Sequence, residues 1–321
     1  MWLDRYRGLL CDLDGCLVAG GRLLPGARDL VAYARDRLVI VSNNSTDTPA
    51  TLAAKLARLN LPIAPERIVL AGATAVEHLA ATVRQARVAI YGAPAIVRYA
   101  KSLGLVVDHD RPHVVLLTRD RHFSYARLHR LVRQIERGAD FVVSNVDVSH
   151  PGPDRSRVLE TGVLLAAVKA CLPAIKYMAI GKPSPLLYQA AMGRISASQG
   201  ELLAIGDNPA TDQEGARRMA LACLLVGGDP RAHFQSLAEL MQSRRPPRGS
   251  EPVRGRRLRP REFHGDPRFR VAPGREIEPE RRWLTGTRRN RRHIAVTGSR
   301  HSGIAPDENR CNRPRCAGDA G

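Results

Sequence analysis

Two carboxylates one residue apart, Asp12 and Asp14, close an apolar run that begins at Gly8, and Gly15 follows them. Carboxylates this close repel each other unless a cation or a shared proton compensates. The pair therefore suggests a divalent-metal site with one carboxylate free to react, and Gly15 lets the backbone turn sharply beside a ligand. Taken alone, Asp-x-Asp-Gly also occurs in ordinary turns and calcium loops. Three more polar groups end apolar runs. Ser42 offers a hydroxyl, and the backbone N–H groups of Asn43 and Asn44 could cradle phosphate oxygens. The same residues also suit a plain strand end before a helix capped at Thr48 and Pro49. Lys182 sits between Gly181 and Pro183, a point charge suited to phosphate or to a carboxylate pair. Asp207 ends the run 202–206 and can bind a hard cation such as Mg²⁺. Asp212, five residues on, can orient that ion's waters or Lys182, although acids near a helix start are favourable in themselves.

The elements that must position these groups alternate throughout residues 1–240. Strands are predicted over 8–13, 38–42, 67–71, 87–91, 105–108, 113–118, 140–144, 175–180, 201–206 and 221–226. Helices are predicted between them, including 26–36, 49–60, 73–83, 94–103, 124–137, 160–171, 184–194, 210–220 and 233–242. Such alternation predicts an α/β fold with mostly parallel sheets and helices on both faces. In sheets of this kind ligands collect outside the carboxyl ends of the strands, where all four polar groups fall.

The 321 residues carry a formal net charge of +19, which raises a nucleic-acid reading. Most of the excess lies in 241–321, which holds 21 Arg, no Lys and nine acids. That segment shows neither helical nor strand periodicity and reads as a disordered tail. No aromatic interleaving accompanies its charge, so a dispensable or frame-shifted extension is favoured over a polyanion-binding arm. Six cysteines, at 11, 16, 171, 223, 311 and 316, are too scattered for a small secreted disulfide scaffold. No apolar run reaches the roughly 18–20 residues that span a membrane. The start lacks a signal-peptide apolar region, and a cytoplasmic location is expected.

The ordered set Asp-x-Asp-Gly, Ser-Asn-Asn, Gly-Lys-Pro and Gly-Asp-x-x-x-Thr-Asp resembles the haloacid dehalogenase superfamily of phosphohydrolases over about residues 6–240. The long interval between Ser42 and Lys182 is similar to the branch that inserts an α/β cap there, which includes nucleotide, para-nitrophenyl-phosphate, phosphoglycolate and pyridoxal-phosphate phosphatases. The resemblance implies a Rossmann-like, doubly wound parallel core over 1–83 and 174–240, a cap over 84–173, and the tail outside both. It implies Asp12 as nucleophile, Asp14 as general acid and base, and Mg²⁺ held by Asp12, the Asp14 carbonyl and Asp207, with Asp212 behind them. Gly15, Ser42, Asn43 and Lys182 would hold the phosphoryl group. Asp14 favours phosphate over halide as the leaving chemistry, because a halide needs no proton and the dehalogenases typically lack this second aspartate. The stretch 144–157 looks like the cap's return segment, and His150 matches the position that brings a histidine to the substrate in pyridoxal-phosphate phosphatases. Glu160 departs from the glycine usual in relatives, and Cys16 from the usual Val or Thr.

The expectation is thus a Mg²⁺-dependent phosphomonoesterase acting on a small phosphorylated metabolite. Nucleic acid and membrane are not the expected partners, and a homodimer through the cap is one open option. The competing reading is a non-catalytic polyanion-binding protein on the same scaffold, acting through its basic tail. The physiological substrate stays open, because specificity lies in cap geometry.

Overall fold

The computed structural model describes residues 1–83, 85–152 and 156–247, all within one compact unit. The chain begins with β1 (Gly8–Cys11), a hairpin of β2 (Val18–Ala19) and β3 (Arg22–Leu23), then α1 (Ala27–Ala34), β4 (Leu38–Ser42), α2 (Pro49–Arg58), β5 (Ile68–Leu70) and α3 (Ala71–Thr82). A second series follows: β6 (Arg87–Tyr91), α4 (Pro94–Ser102), β7 (Val106–Val107), β8 (Val114–Leu117), α5 (Tyr125–Glu136) and β9 (Asp140–Val143). It continues through a hairpin of β10 (Ser149–Pro151) and β11 (Arg157–Leu159), then α6 (Thr161–Cys171) and β12 (Met178–Ala179). The last elements among the described residues are α7 (Pro185–Met192), β13 (Leu202–Gly206), α8 (Glu214–Arg218), β14 (Ala222–Leu225) and α9 (Leu237–Gln242).

Two five-stranded parallel sheets result. The first has the order β14-β13-β1-β4-β5 and the second β12-β9-β8-β6-β7. Strand β1 is central, and the chain leaves it toward β4 on one side and returns through β13 on the other. That reversal opens a crevice at the strands' carboxyl ends. Side chains alternate across a strand, so β1 sends Leu9 and Cys11 into one apolar cluster and Leu10 into another. Both clusters are covered by helices, which is why these strands read as unbroken apolar runs. A third cluster joins Val88, Ile90, Val114 and Leu116 of the second sheet to Ile96 and Ala100 of α4.

All ten predicted strands are present. The strand expected at 175–180 is short, however, and lies on the edge of the second sheet, with Met178 opposite Val142 and Ala179 opposite Val143. Its bonding continues as the Ile180 N–H donates to the Val143 carbonyl at 3.1 Å and the Gly181 N–H to the Ser144 carbonyl at 2.7 Å. The second sheet therefore extends past residue 173, because β9 offers an open edge beside the chain's return path. Neither hairpin was foreseen, since strands of two or three residues leave no periodic trace. The expected helix 210–220 begins as a π-helical turn over Pro209–Gln213. Of the tail expected from 241, the first two residues complete α9, and everything beyond Pro247 lies outside the described residues. Among the described residues no helix is long and apolar enough to cross a membrane.

Gly26 marks where α1 meets α9. It precedes α1 at φ +84°, and a Cβ there would stand 2.1 Å from the Ala238 nitrogen in α9. Gly26→Ala should lower unfolding free energy by about 2–4 kcal/mol, from left-handed strain plus overlap with backbone. Urea unfolding of the pair of proteins measures this, and a loss near zero would show that α9 yields.

Candidate active site

The loop after β1 is shaped by its own backbone bonds. The Asp12 N–H extends the parallel ladder to the Ile205 carbonyl at 2.8 Å, and the Gly15 N–H turns back to the Val18 carbonyl at 2.8 Å. Gly15 stands at φ +87°, and a Cβ on it would fall 2.0 Å from Asp207 Oδ2. Glycine is thus required twice, for the turn and for the space that Asp207 occupies. Asp12 is buried at the strand end, whereas Asp14 opens toward solvent.

Lys182 connects the carboxylates. Its Nζ donates to Asp12 Oδ1 at 2.6 Å and to Asp212 Oδ1 at 2.7 Å, with the lysine side chain only 3% exposed. Burial works against the ammonium, but Asp12 and Asp212 outweigh it and hold its pKa well above the usual value. Burial likewise pushes the Asp12 carboxyl up, against the pull of Lys182. Asp207 is driven to about 6, first by burial and then by the Asp212 charge. Asp14 is also raised, chiefly by desolvation, with His150 and Lys182 opposing. One oxygen each from Asp12, Asp207 and Asp212 lies within 4.8 Å of the others. Hard, anionic oxygens at that spacing suit a small divalent cation. Asp212, read from sequence as lying behind the metal, is thus as close to the cluster as the other two, although both its oxygens already accept hydrogen bonds.

Ser42 ends β4, and its Oγ accepts from the Asn44 N–H at 3.1 Å. That amide, which sequence suggested for a phosphate cradle, here closes the turn. Asn44 Oδ1 in turn accepts from the Thr46 and Asp47 N–H groups at 3.0 and 2.9 Å, and Asp47 holds Lys55 at 2.7 Å. The Asn43 side chain has a different task. Its Oδ1 accepts from the Lys182 N–H at 2.7 Å, while its Nδ2 donates to Asp147 Oδ2 at 2.6 Å. It thereby joins the Ser42 loop, the Lys182 turn and the segment after β9. The Lys182–Pro183 peptide is cis, and Ser184 then caps α7. On the other side Asn208 caps the π-helical turn, and the Tyr188 hydroxyl donates to the Asp212 carbonyl at 3.1 Å.

A cavity of about 570 Å³ is lined by Asp12, Asp14, Ser42, Asn43, Lys182 and Asp207, and His150 forms part of its wall. Gly15 lies against Asp207, and Asp212 reaches the group through Lys182. The candidate site residues Asp12, Asp14, Gly15, Ser42, Asn43, His150, Lys182, Asp207 and Asp212 are therefore gathered at one place. Among the wall residues without a sequence-based role are Asp47, Arg119, Asp147 and Glu160. Arg119 follows β8, so the rule that found the other strand ends would have reached it. Residues 153–155 of the return segment lie outside the described residues.

Removing the ammonium tests what holds this cluster. Because the Asp12 pKa is raised in the folded state, the folded protein retains that proton more readily than the unfolded chain. Its contribution is complete in acid and declines as pH rises through the raised pKa, and more steeply without Lys182. Lys182→Met should destabilise by about 3–5 kcal/mol at pH 8 and by less at pH 5. Urea unfolding in chelator at both pH values reads the difference, and equal losses would argue against charge neutralisation.

The sequence model of the haloacid dehalogenase-like hydrolases matches residues 9–106, and a HAD-hydrolase-like model matches 179–240. A dihydroxyacetone phosphatase of Corynebacterium glutamicum is 30% identical over 221 residues, spanning 68% of this chain and 79% of the relative. A glycerol phosphate phosphatase of Mycobacterium tuberculosis, solved with magnesium, superposes with a TM-score of 0.66 at 28% identity, covering 75% of this chain and 78% of that one. A 4-nitrophenylphosphatase of Thermotoga maritima shares the fold, with a TM-score of 0.70 at 23% identity over 76% of this chain and 99% of that one. With its strand-end carboxylates, buried lysine and this extent of likeness, the chain belongs to the haloacid dehalogenase-like hydrolases.

Proposed function

We propose that this protein hydrolyses phosphate monoesters of small metabolites through an aspartyl-phosphate on Asp12, with Mg²⁺ as cofactor. The observation that carries the reading is the buried Lys182 ammonium shared by Asp12 and Asp212 beside Asp207, at the floor of a cavity that Asp14 also lines. A carboxylate cannot readily approach an anionic phosphate unless such charge is at hand. The named phosphatases among its relatives support the same reaction class.

In this reading an Asp12 oxygen attacks phosphorus as the bond to the leaving oxygen breaks. Asp14 gives that oxygen its proton, a task favoured by a carboxyl pKa above the ordinary range. Asp14 then takes a proton from water, whose oxygen attacks phosphorus and frees Asp12 with release of phosphate. Lys182 favours the ionised form of Asp12 against the burial that raises its pKa, and offsets charge on the phosphoryl oxygens, with Ser42 and the Asn43 amide beside them. Gly15 keeps the space that Asp207 needs. Mg²⁺, held by Asp12, Asp207 and the Asp14 carbonyl with Asp212 close by, would supply further positive charge at the phosphoryl group. The second sheet with its β10–β11 hairpin serves as the cap, roofing the site and bringing His150 to the substrate.

Asp12→Asn should lower para-nitrophenyl phosphate turnover in Mg²⁺ by about a thousandfold or more while leaving the unfolding transition intact. Wild-type protein without metal-dependent turnover would refute the proposal and favour a binding protein. Mg²⁺ should also raise the melting temperature at pH 7.5, by binding the folded state alone. That gain should fade below pH values of about 6, as protons displace the cation from Asp207. A shift independent of pH would place the cation elsewhere.

A further inference from the structure

Glu160 is a carboxylate without an evident duty in the fold. It precedes α6 at the N-cap position, yet its side chain makes no cap bond. It is only 9% exposed, and its Oε2 is buried without a hydrogen-bond partner among the described residues. Leaving a buried carboxylate half satisfied costs free energy, so its placement calls for a reason other than stability. Its ion-pair partners both belong to the cavity wall. Oε1 meets His150 Nδ1 at 2.8 Å and Arg119 Nη1 at 3.3 Å.

Backbone and hydroxyl contacts hold these three residues in place. The Glu160 N–H donates to the Val148 carbonyl at 2.9 Å, fixing the hairpin that carries His150. The Arg119 N–H donates to Ser45 Oγ at 3.1 Å, and Ser45 Oγ lies 3.2 Å from Thr161 Oγ1 beside Glu160. With Nδ1 engaged by Glu160, Nε2 is the imidazole's remaining polar atom at the wall. The carboxylate also raises the His150 pKa, favouring a ring that donates from both nitrogens.

Charge decides which leaving group such a wall accepts. Without Glu160 the Arg119 guanidinium would be left without this counter-charge, an anion site suited to a carboxylate on the substrate, with His150 beside it. Glu160 cancels much of that charge while leaving N–H donors in place, and Asp14 and Asp147 are further carboxyl groups around the cavity, whereas Asp47 is paired with Lys55. We infer that Glu160 is a positioning residue which, through His150 and Arg119, directs this site to phosphate esters of small uncharged hydroxylated or carbonyl compounds and against those of hydroxy acids. This rests on the phosphatase reading above and adds the class of leaving group.

The test compares kcat/KM for glycerol 3-phosphate and for 2-phosphoglycolate in wild type, Glu160→Gln and Glu160→Asp, with para-nitrophenyl phosphate as a third ester. Wild type should favour glycerol 3-phosphate by about tenfold or more. Glu160→Gln should shrink that ratio by about tenfold, chiefly through a lower KM for phosphoglycolate, and Glu160→Asp should restore part of it. A defect confined to folding would lower all three esters together and leave the ratio alone. Turnover of para-nitrophenyl phosphate with no preference for glycerol 3-phosphate, or with a ratio indifferent to Glu160→Gln, overturns this inference and spares the phosphatase. No turnover of any ester by wild type removes both. Should Glu160→Gln not fold, the wild-type preference and the ratio in Glu160→Asp decide, and a preference for phosphoglycolate in either sinks the idea.

Discussion

A single buried ammonium governs how the first sheet ends. Asp12 and Asp212 approach the same point from β1 and from the turn after β13, and without Lys182 their charges would face each other in a poorly hydrated place. The loops comply with that demand. Gly15 yields its side-chain space to Asp207, Tyr188 steadies the Asp212 backbone, and Asn43 grips both the N–H and the carbonyl of Lys182. Pairing two carboxylates with one lysine leaves a net negative charge, which is the condition for attracting a divalent cation.

Much of the first sheet was legible because its strands are buried on both faces and so form unbroken apolar runs. Asp12, Ser42, Lys182 and Asp207 stood out for the same reason, as polar residues that abruptly end such runs. The parts that escaped are those whose partners lie far off in the chain. Nothing local marks Asn43 as a bridge to Asp147, or the 178–179 strand as a neighbour of β9 rather than of the first sheet. Glu160 was visible only as an unusual residue, since its meaning depends on Arg119 and His150 arriving from other loops. Short hairpins leave no periodic signal, and the one bearing His150 could be read only as a loop.

The two ends of the cavity differ in how their charges are held. At the floor, charges are paired tightly and deeply, with lysine–carboxylate distances of 2.6 and 2.7 Å and side chains almost closed to solvent. At the wall the pairs are looser and wetter, with His150 31% exposed and Arg119 21% exposed. Rigid geometry suits a reaction common to many esters, and a softer wall suits discrimination among what the phosphate is attached to.

The placement of β12 has a mechanical meaning. Lys182 hangs directly from a strand of the second sheet, while the carboxylates it binds belong to loops of the first. The ion pairs are therefore rivets through the seam between the two sheets, joined there by the Asn43–Asp147 bond. The ammonium that pairs with Asp12 thus doubles as a link between the two sheets.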